Sequence, residues 1–220
     1  VDGTGNILDL TVATGATRFL LTSSGGIYGP QPEHLDAIPE DWLGSPSLHA
    51  PHTAYSQAKR TAEHLSFLYM HSCGLEVVIA RCFSFVGQDL PFDVHFAIGN
   101  FIRDALYAPT INVKGDGLSL RTYLDQRDLA HWLSKLLFEG HAGEAYNVGS
   151  SYVISIRDLA HLVRDLLSPS KPILIQGLED ENVISRRYVP CINKIFMKHR
   201  LSPAFRLDSS IVNAAGSRAL

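Results

Sequence analysis

The feature that most constrains the fold is an apolar strand, a long helix and a second apolar strand in direct succession. Residues 18–23 (RFLLTS) form an apolar run of strand length. Residues 75–83 (LEVVIARCF) form a β-branched run that is typical of a buried strand. Apolar residues recur at helical spacing over residues 53–72, and Gly74 ends that helix. The recurring positions are Ala58, Ala62, Leu65 and Tyr69. This order predicts an α/β fold with a parallel sheet.

Further elements flank this unit on both sides. Residues 2–14 are predicted to be helical, with Ile7, Leu8, Leu10 and Val12 on the apolar side. Residues 24–52 form a loop rich in Gly, Pro and Ser that is too long for an ordinary connection, so we expect it to be functional. In the second half, helices are predicted over 97–106, 125–138 and 155–167, and strands over 111–113, 120–124 and 146–148. Gly115-Asp116-Gly117 is the turn between the first two of these strands. Asp125 and Asp128 are predicted to form the N-terminal cap of the second helix, and Ser155 and Asp158 that of the third.

Composition excludes several classes of protein. The 220 residues include 19 basic and 22 acidic ones, and a net charge of -3 leaves no footprint for a nucleic acid. No apolar run reaches the length of a membrane span. The three cysteines, Cys73, Cys82 and Cys191, are too widely spaced for a disulfide framework or a CxxC site, so reduced thiols in a cytoplasmic protein are expected. The histidines lack the spacing of a metal site, and no metal is predicted.

Three residues carry a chemical signal together. Ser24 follows the first strand, and Tyr55 and Lys59 lie four residues apart and therefore on one helix face. A fixed positive charge beside a phenol favours the phenolate and lowers its pKa. Tyr55 is then suited to exchange a proton with a hydroxyl or a carbonyl, while Ser24 bonds the same oxygen. A serine hydrolase is excluded, because Thr22 stands where the G-x-S-x-G pattern requires glycine.

Several segments in order resemble the extended short-chain dehydrogenases/reductases, in particular the NAD-dependent nucleotide-sugar epimerase/dehydratase group. They are TSSGGIYG (22–29), YSQAK (55–59), RCFSFVG (81–87), GDGLSLRTYLDQRDLA (115–130) and YNVG (146–149). The resemblance implies a partial Rossmann-like parallel sheet with a small α+β substrate-binding lobe. It places the C-terminal part of the cofactor domain at residues 1–92. Residues 93–220 would form mainly the sugar lobe, with a returning Rossmann segment near 120–150.

The resemblance also implies roles for individual residues. Tyr55 is the catalytic acid and base, Lys59 supports it and bonds the nicotinamide ribose, Ser24 orients the sugar, and Ser23 lies with the cofactor-binding residues. The implied contacts with a nucleotide-diphosphate sugar are Ser84, Asn100, Arg121 and Arg187. Ser84 stands where many relatives carry asparagine, so it offers one donor instead of two.

Two departures from the family pattern bear on activity. Gly25 and Gly26 replace the carboxylic residues that dehydrating relatives place after the serine. Since elimination of water needs a positioned acid and base, oxidation and reduction at C4, as in an epimerase, is favoured. The alternatives are a 4,6-dehydratase-type enzyme and a non-catalytic module that binds sugar nucleotides.

The second departure is the absence of the GxxGxxG cofactor loop. The chain is therefore interpreted as an N-terminally truncated piece of a longer enzyme that uses NAD or NADP. Alone it is expected to bind NAD weakly and to be inactive. Relatives commonly pair through two helices, here residues 2–14 and 53–72, so a homodimer is expected.

Overall fold

The structure is a computed structural model that describes residues 1–93, 96–177 and 186–216. Helices and mostly parallel strands are interspersed along the chain, and the predicted α/β class is confirmed. The helices are α1 (Asp2–Ala13), α2 (Ala54–Cys73), α3 (Ala97–Tyr107), α4 (Gln126–Glu139), α5 (Ile156–Leu167), α6 (Asn193–His199) and α7 (Leu207–Gly216). The strands are β1 (Arg18–Ser24), β2 (Glu76–Cys82), β3 (Phe85–Val86), β4 (Ile111–Val113), β5 (Leu120–Thr122), β6 (Leu124–Asp125), β7 (Ala145–Val148), β8 (Val153–Ser155), β9 (Ile173–Ile175) and β10 (Arg187–Tyr188).

The chain divides into two compact units. Unit 1 comprises Val1–Phe83, Ala130–Val148 and Pro190–Ser202, and unit 2 comprises Ser84–Leu129, Gly149–Val189 and Pro203–Leu220. Unit 1 thus includes two stretches from later in the chain. The stretch Ala130–Val148 falls within the returning segment predicted near 120–150. The stretch Pro190–Ser202, which contains α6, was not indicated by the sequence pattern.

Unit 1 is built on a parallel sheet with the strand order β1-β2-β7. Its central strand β2 carries three consecutive β-branched residues, Val77, Val78 and Ile79, which are completely buried. Helix α2 packs on β1 and β2, and it ends where Gly74 adopts a left-handed conformation with φ 69°. The register pairs Ser23 with Arg81 and Ser24 with Cys82, which brings polar side chains to the carboxyl end of the sheet.

Helix α1 forms as predicted, but most of its apolar side is not covered. Of the four apolar positions only Leu8 is buried, where it packs with the sheet core. Ile7, Leu10 and Val12 are 50%, 56% and 42% exposed. Helix α1 contacts α2 and β1, and these three side chains lie outside that contact.

Unit 2 has an apolar core between α3, α5 and α7. Ile98, Ile102, Leu159, Val163 and Ile211 are completely buried there. The cap at the start of α5 is confirmed, since the Ser155 hydroxyl oxygen accepts a hydrogen bond from the backbone N–H of Asp158 at 3.0 Å.

One local prediction in unit 2 is wrong and another is confirmed in part. Strands β4 and β5 do not pair with each other around residues 115–117: β4 pairs with β9, and β5 pairs with β8 and β10. Asp125 caps α4 as predicted, because its carboxylate accepts a hydrogen bond from the backbone N–H of Arg127 at 2.8 Å. The Asp128 carboxylate takes no part in that cap and accepts from the backbone N–H groups of Ala204 and Phe205. Within the described ranges, no helix combines the length and the apolarity that a bilayer crossing requires.

Candidate functional site

Tyr55 and Lys59 lie on the first two turns of α2, on one face as their spacing predicts. The Lys59 ammonium lies 5.8 Å from the centroid of the Tyr55 ring, and it donates a hydrogen bond to the carbonyl oxygen of Thr22 at 2.7 Å. Strand β1 therefore holds the ammonium in place. The Tyr55 side chain is 60% exposed, so its phenol is accessible to a ligand.

Ser24 is the last residue of β1 and begins the 3₁₀ turn Gly25–Tyr28. It is 8% exposed, and its hydroxyl oxygen accepts a hydrogen bond from the backbone N–H of Gly26 at 3.1 Å. A serine hydroxyl has one donor and two acceptor sites, so this contact leaves its proton available. Ser24 is thus oriented as a donor at the carboxyl end of a parallel strand, where ligands of open α/β sheets bind.

The structure adds a third hydroxyl group that the sequence analysis missed. A Cβ atom built on Gly26 would lie 2.7 Å from Ser56 Oγ and 3.4 Å from Ser24 Oγ. Ser56 therefore fills the space that a side chain at position 26 would need. Ser56 lies on the first turn of α2, which contacts the turn that follows Ser24, and no local sequence pattern indicated this approach.

The long loop after Ser24 is fastened to α2. The Arg60 guanidinium donates to the carbonyl oxygens of Ile27 and Gly44 at 3.0 and 2.9 Å, and the Gln57 amide donates to Pro46 at 2.9 Å. At Gly29, φ is 70° and an added Cβ would lie 2.3 Å from the carbonyl oxygen of Ser45. Only glycine permits this approach, which keeps the loop close to the turn that follows Ser24.

Glu63 on α2 and Arg81 on β2 form a buried ion pair. Arg81 donates to the two carboxylate oxygens of Glu63 at 3.2 and 2.9 Å, in the bidentate arrangement that suits a guanidinium. The two side chains are only 8% and 14% exposed. Ser23 also donates to Glu63, at 2.5 Å, so the hydroxyl that was assigned to the cofactor faces α2 in this structure.

Arg81 extends the network towards the long loop. Its guanidinium donates to the Tyr28 hydroxyl and to the backbone carbonyl of Glu40, both at 2.8 Å, and the Tyr28 hydroxyl donates to Asn147 at 2.8 Å. Burial raises the pKa of Tyr28 to about 12, although the nearby Arg81 charge opposes the shift, so this phenol stays protonated. The Asn147 amide also donates to the carbonyl oxygens of Ile38 and Cys191 at 2.8 and 3.1 Å.

Sequence reasoning missed Glu63 and Arg81, although a signal was present. Arg81 is a charged residue within an apolar strand run, and Glu63 lies one helical turn beyond Lys59 on the same face. A charged residue at a buried position normally has a charged partner. Two such positions on neighbouring elements are therefore candidates for an ion pair.

The residues assigned to the sugar nucleotide lie in unit 2, whereas Ser23, Ser24, Tyr55 and Lys59 lie in unit 1. Ser84 is partly exposed, and its backbone carbonyl accepts from the N–H of Leu124 at 3.0 Å. Asn100 is partly exposed on α3, and its side-chain oxygen accepts from Arg103 at 3.2 Å.

Arg121 and Arg187 lie on the adjacent parallel strands β5 and β10. The register pairs Arg187 with Leu120 and Tyr188 with Arg121. Because side chains alternate along a strand, this register places the two arginines on opposite faces of the small sheet and does not bring them together. Burial lowers the pKa of the Arg121 guanidinium, which donates to the carbonyl oxygen of Leu120 at 2.8 Å.

More than half of the chain matches a known protein family. Residues 1–149 match the NAD dependent epimerase/dehydratase family. The chain belongs to this family. The resemblance given in the sequence analysis is thereby confirmed.

Among the curated epimerase/dehydratase relatives is UDP-glucuronic acid decarboxylase 1 of Arabidopsis thaliana. It is 34% identical over 173 residues, which cover 79% of this chain and 39% of the relative. Among solved structures, RMD from Pseudomonas aeruginosa, complexed with NADPH, has a TM-score of 0.85 and 27% identity over 99% of this chain and 72% of that chain. UDP-glucose 4-epimerase from Thermotoga maritima has a TM-score of 0.87 at 20% identity over 98% of this chain and 67% of that chain, and it shares the fold. The chain thus spans less than half of the curated relative.

Proposed function

We propose that the protein to which this chain belongs oxidises and re-reduces a nucleotide-diphosphate sugar at C4 with a nicotinamide cofactor. The observation that carries this proposal is the Lys59 ammonium beside an exposed Tyr55 phenol, with the Ser24 hydroxyl at the end of the adjoining strand. The family match and the NADPH-bound structure of a relative support the choice of cofactor.

The residues present fit a nicotinamide nucleotide. Only one of the three Lys59 donors is used by Thr22, which leaves two for the hydroxyls of a ribose. Lys59 and Tyr55 would hold the nicotinamide end, and we retain Ser23 as a proposed cofactor neighbour. When bound, the nicotinamide supplies a hydride acceptor and donor. The chain's own residues handle the proton: Tyr55 takes it from the C4 hydroxyl and returns it, and Ser24 donates a hydrogen bond to the same oxygen.

The environment of Gly26 favours this chemistry over 4,6-dehydration. Eliminating water requires an acid and a base beyond Tyr55, and neither Gly25 nor Gly26 supplies one. Ser56 occupies the space in which a carboxylic side chain from position 26 would begin. We therefore propose epimerase-type oxidation and reduction, with Ser84, Asn100, Arg121 and Arg187 as the contacts with the sugar nucleotide.

Decarboxylation of a UDP-hexuronate is the second candidate, because curated relatives at 31–34% identity are named UDP-glucuronic acid decarboxylases. A sugar oxidised at C4 and carrying a C6 carboxylate is a β-keto acid. When its C5–C6 bond breaks and CO₂ leaves, the electron pair passes to the C4 oxygen as an enolate, so no further side-chain base is needed. Both candidates share the Tyr55 step.

The experiment compares the complete protein with its Tyr55→Phe variant on UDP-glucose and UDP-glucuronate. The variant lacks the proton-exchanging hydroxyl, so turnover should fall by about 10²–10⁴-fold. Binding of the sugar nucleotide, measured by calorimetry, should change little. A C4 epimer as product supports the first candidate, and release of CO₂ with a pentose product supports the second. Full activity of the variant would refute the role of Tyr55. If the unsubstituted complete protein binds the sugar nucleotide but does not turn it over, the protein is a non-catalytic module.

We also propose a homodimer through α1 and α2. Three apolar residues of α1 are exposed, and α1 and α2 line a shallow cleft that includes Val12, Leu65 and Leu68. Sedimentation of the chain should give the mass of a dimer, and replacing Leu10 and Leu68 by serine should give the monomer. A monomer at all concentrations would contradict this pairing.

A further inference from the structure

The carboxylate of Glu63 joins the three elements that carry the candidate site. It belongs to α2, it accepts a hydrogen bond from the Ser23 hydroxyl on β1, and it binds the guanidinium of Arg81 on β2. Ser23 and Arg81 are direct partners in the strand register. One buried carboxylate thus fixes the helix to two neighbouring strands at the same level of the sheet.

The contact one turn earlier on α2 depends on this attachment. Lys59 and Glu63 are four residues apart, and they contact consecutive residues of β1: Lys59 bonds the carbonyl of Thr22, and Glu63 bonds the side chain of Ser23. Since the spacing along the helix is rigid, the position of Glu63 sets where the Lys59 ammonium meets the strand. The distance from that ammonium to Tyr55 follows from it.

We propose that Glu63 is a positioning residue, which fixes Lys59 at its place beside Tyr55 by holding the Ser23 hydroxyl and the Arg81 guanidinium. The inference rests on the proposed function, in which Tyr55 exchanges a proton. Glu63 lies 6% exposed below the surface and does not itself need to touch a ligand. Its role is to maintain the arrangement in which the positive charge of Lys59 acts on the phenol.

The test does not need turnover. Tyrosine labelled with ¹³C at Cζ reports ring ionisation by NMR, and a Tyr55→Phe variant assigns the resonance. In Glu63→Gln, loss of the fixed ammonium should move the pH midpoint of Tyr55 ionisation upwards. If Glu63 acted on Tyr55 only through its own negative charge, its neutralisation would move the midpoint downwards. The sign of the shift therefore separates positioning from simple electrostatics.

Three further variants complete the experiment. Glu63→Gln leaves Arg81 as an unpaired buried cation, so Glu63→Gln/Arg81→Met removes both charges and provides a second folded variant. It should show the same upward shift. Ser23→Ala removes one hydrogen bond to the carboxylate and should shift the midpoint in the same direction by less. Glu76→Gln breaks the Arg18–Glu76 pair at the opposite end of the same two strands and should leave the midpoint unchanged.

The outcomes distinguish this inference from the proposed function. An unchanged or lowered midpoint in the folded Glu63 variants would overturn the positioning role, whatever the enzyme does. If the midpoint rises but the unsubstituted complete protein has no activity on any nucleotide sugar, Glu63 positions Lys59 and the proposed function fails. If both hold, kcat should fall about tenfold in Glu63→Gln while KM changes less than twofold, because only the proton-exchange step depends on the ammonium.

Discussion

In the unit that carries the candidate catalytic residues, a buried ion pair joins a helix to a neighbouring strand, whereas the three core helices of the other unit meet through aliphatic side chains. In unit 1, Glu63, Arg81, Tyr28 and Asn147 connect a helix, two strands and a long loop through hydrogen bonds between residues far apart in sequence. In unit 2, α3, α5 and α7 meet through aliphatic side chains. Hydrogen bonds and ion pairs have fixed directions, whereas apolar contacts tolerate repacking. Polar connections thus suit a site that depends on sub-ångström placement.

The largest effect should come from breaking the buried ion pair of unit 1. Arg81→Met leaves the Glu63 carboxylate buried without its cation, so the free energy of unfolding should fall by about 3–5 kcal/mol. Urea titration followed by circular dichroism measures it. Arg206→Met is the matched control: that ion pair with Asp208 is exposed to solvent, and its loss should change stability far less than the loss of the buried pair. If both variants lost the same free energy of unfolding, the greater contribution expected from the buried pair would be contradicted.

A cavity in the apolar core of unit 2 should cost nearly as much. Ile102 is completely buried on α3, and Ile102→Ala should lower the free energy of unfolding by about 2–5 kcal/mol. The aliphatic control is Leu43→Ala in unit 1, since Leu43 is 94% exposed and its truncation should change stability by about 0.5 kcal/mol or less. The comparison between units fails if Ile102→Ala also moves the Tyr55 ionisation midpoint as Glu63→Gln does.

The smallest predicted effect is a dependence of stability on pH that arises in unit 1, away from Tyr55. His199 is 7% exposed, and burial, followed by the charge of His141, lowers its pKa. Glu139, Lys135 and Lys198 also face it, and Tyr146 packs against its ring. The unfolded chain, with a histidine pKa of about 6.5, then binds the proton more readily than the folded chain. Stability from His199 is therefore complete above pH ~6.5 and decreases as the pH falls below it, by about 1 kcal/mol or less for each pH unit.

This pH effect is measured as the difference in unfolding free energy between pH 7.5 and 5.5. His199→Gln should reduce the difference, and His49→Gln, which alters an exposed histidine, should not. Identical pH profiles for both variants would show that the burial of His199 carries no cost for its charged form.

In both units the sequence predicted features that depend on local spacing, whereas it did not predict contacts between distant segments. The strand–helix–strand unit, the shared face of Tyr55 and Lys59 and the Ser155 cap follow from local spacing, and the structure contains all three. The pairing of β4 with β5 was wrong, because each of these strands pairs with strands farther along the chain. The cap of α4 forms at Asp125, whereas Asp128 bonds a distant segment and not the helix start. On α1, periodicity marks an apolar side without showing what covers it.

By itself, the sequence determined the α/β class and the family, and it predicted candidate residues for the chemistry, because these depend on periodicity and on motifs that are continuous in the chain. Only the tertiary structure decided which charges are buried together. Glu63 and Arg81 are 18 residues apart, and Tyr28 and Asn147 are 119 apart. No local pattern connects them. Folding brings them to one end of a sheet, where removal from water makes each buried polar group dependent on its partner.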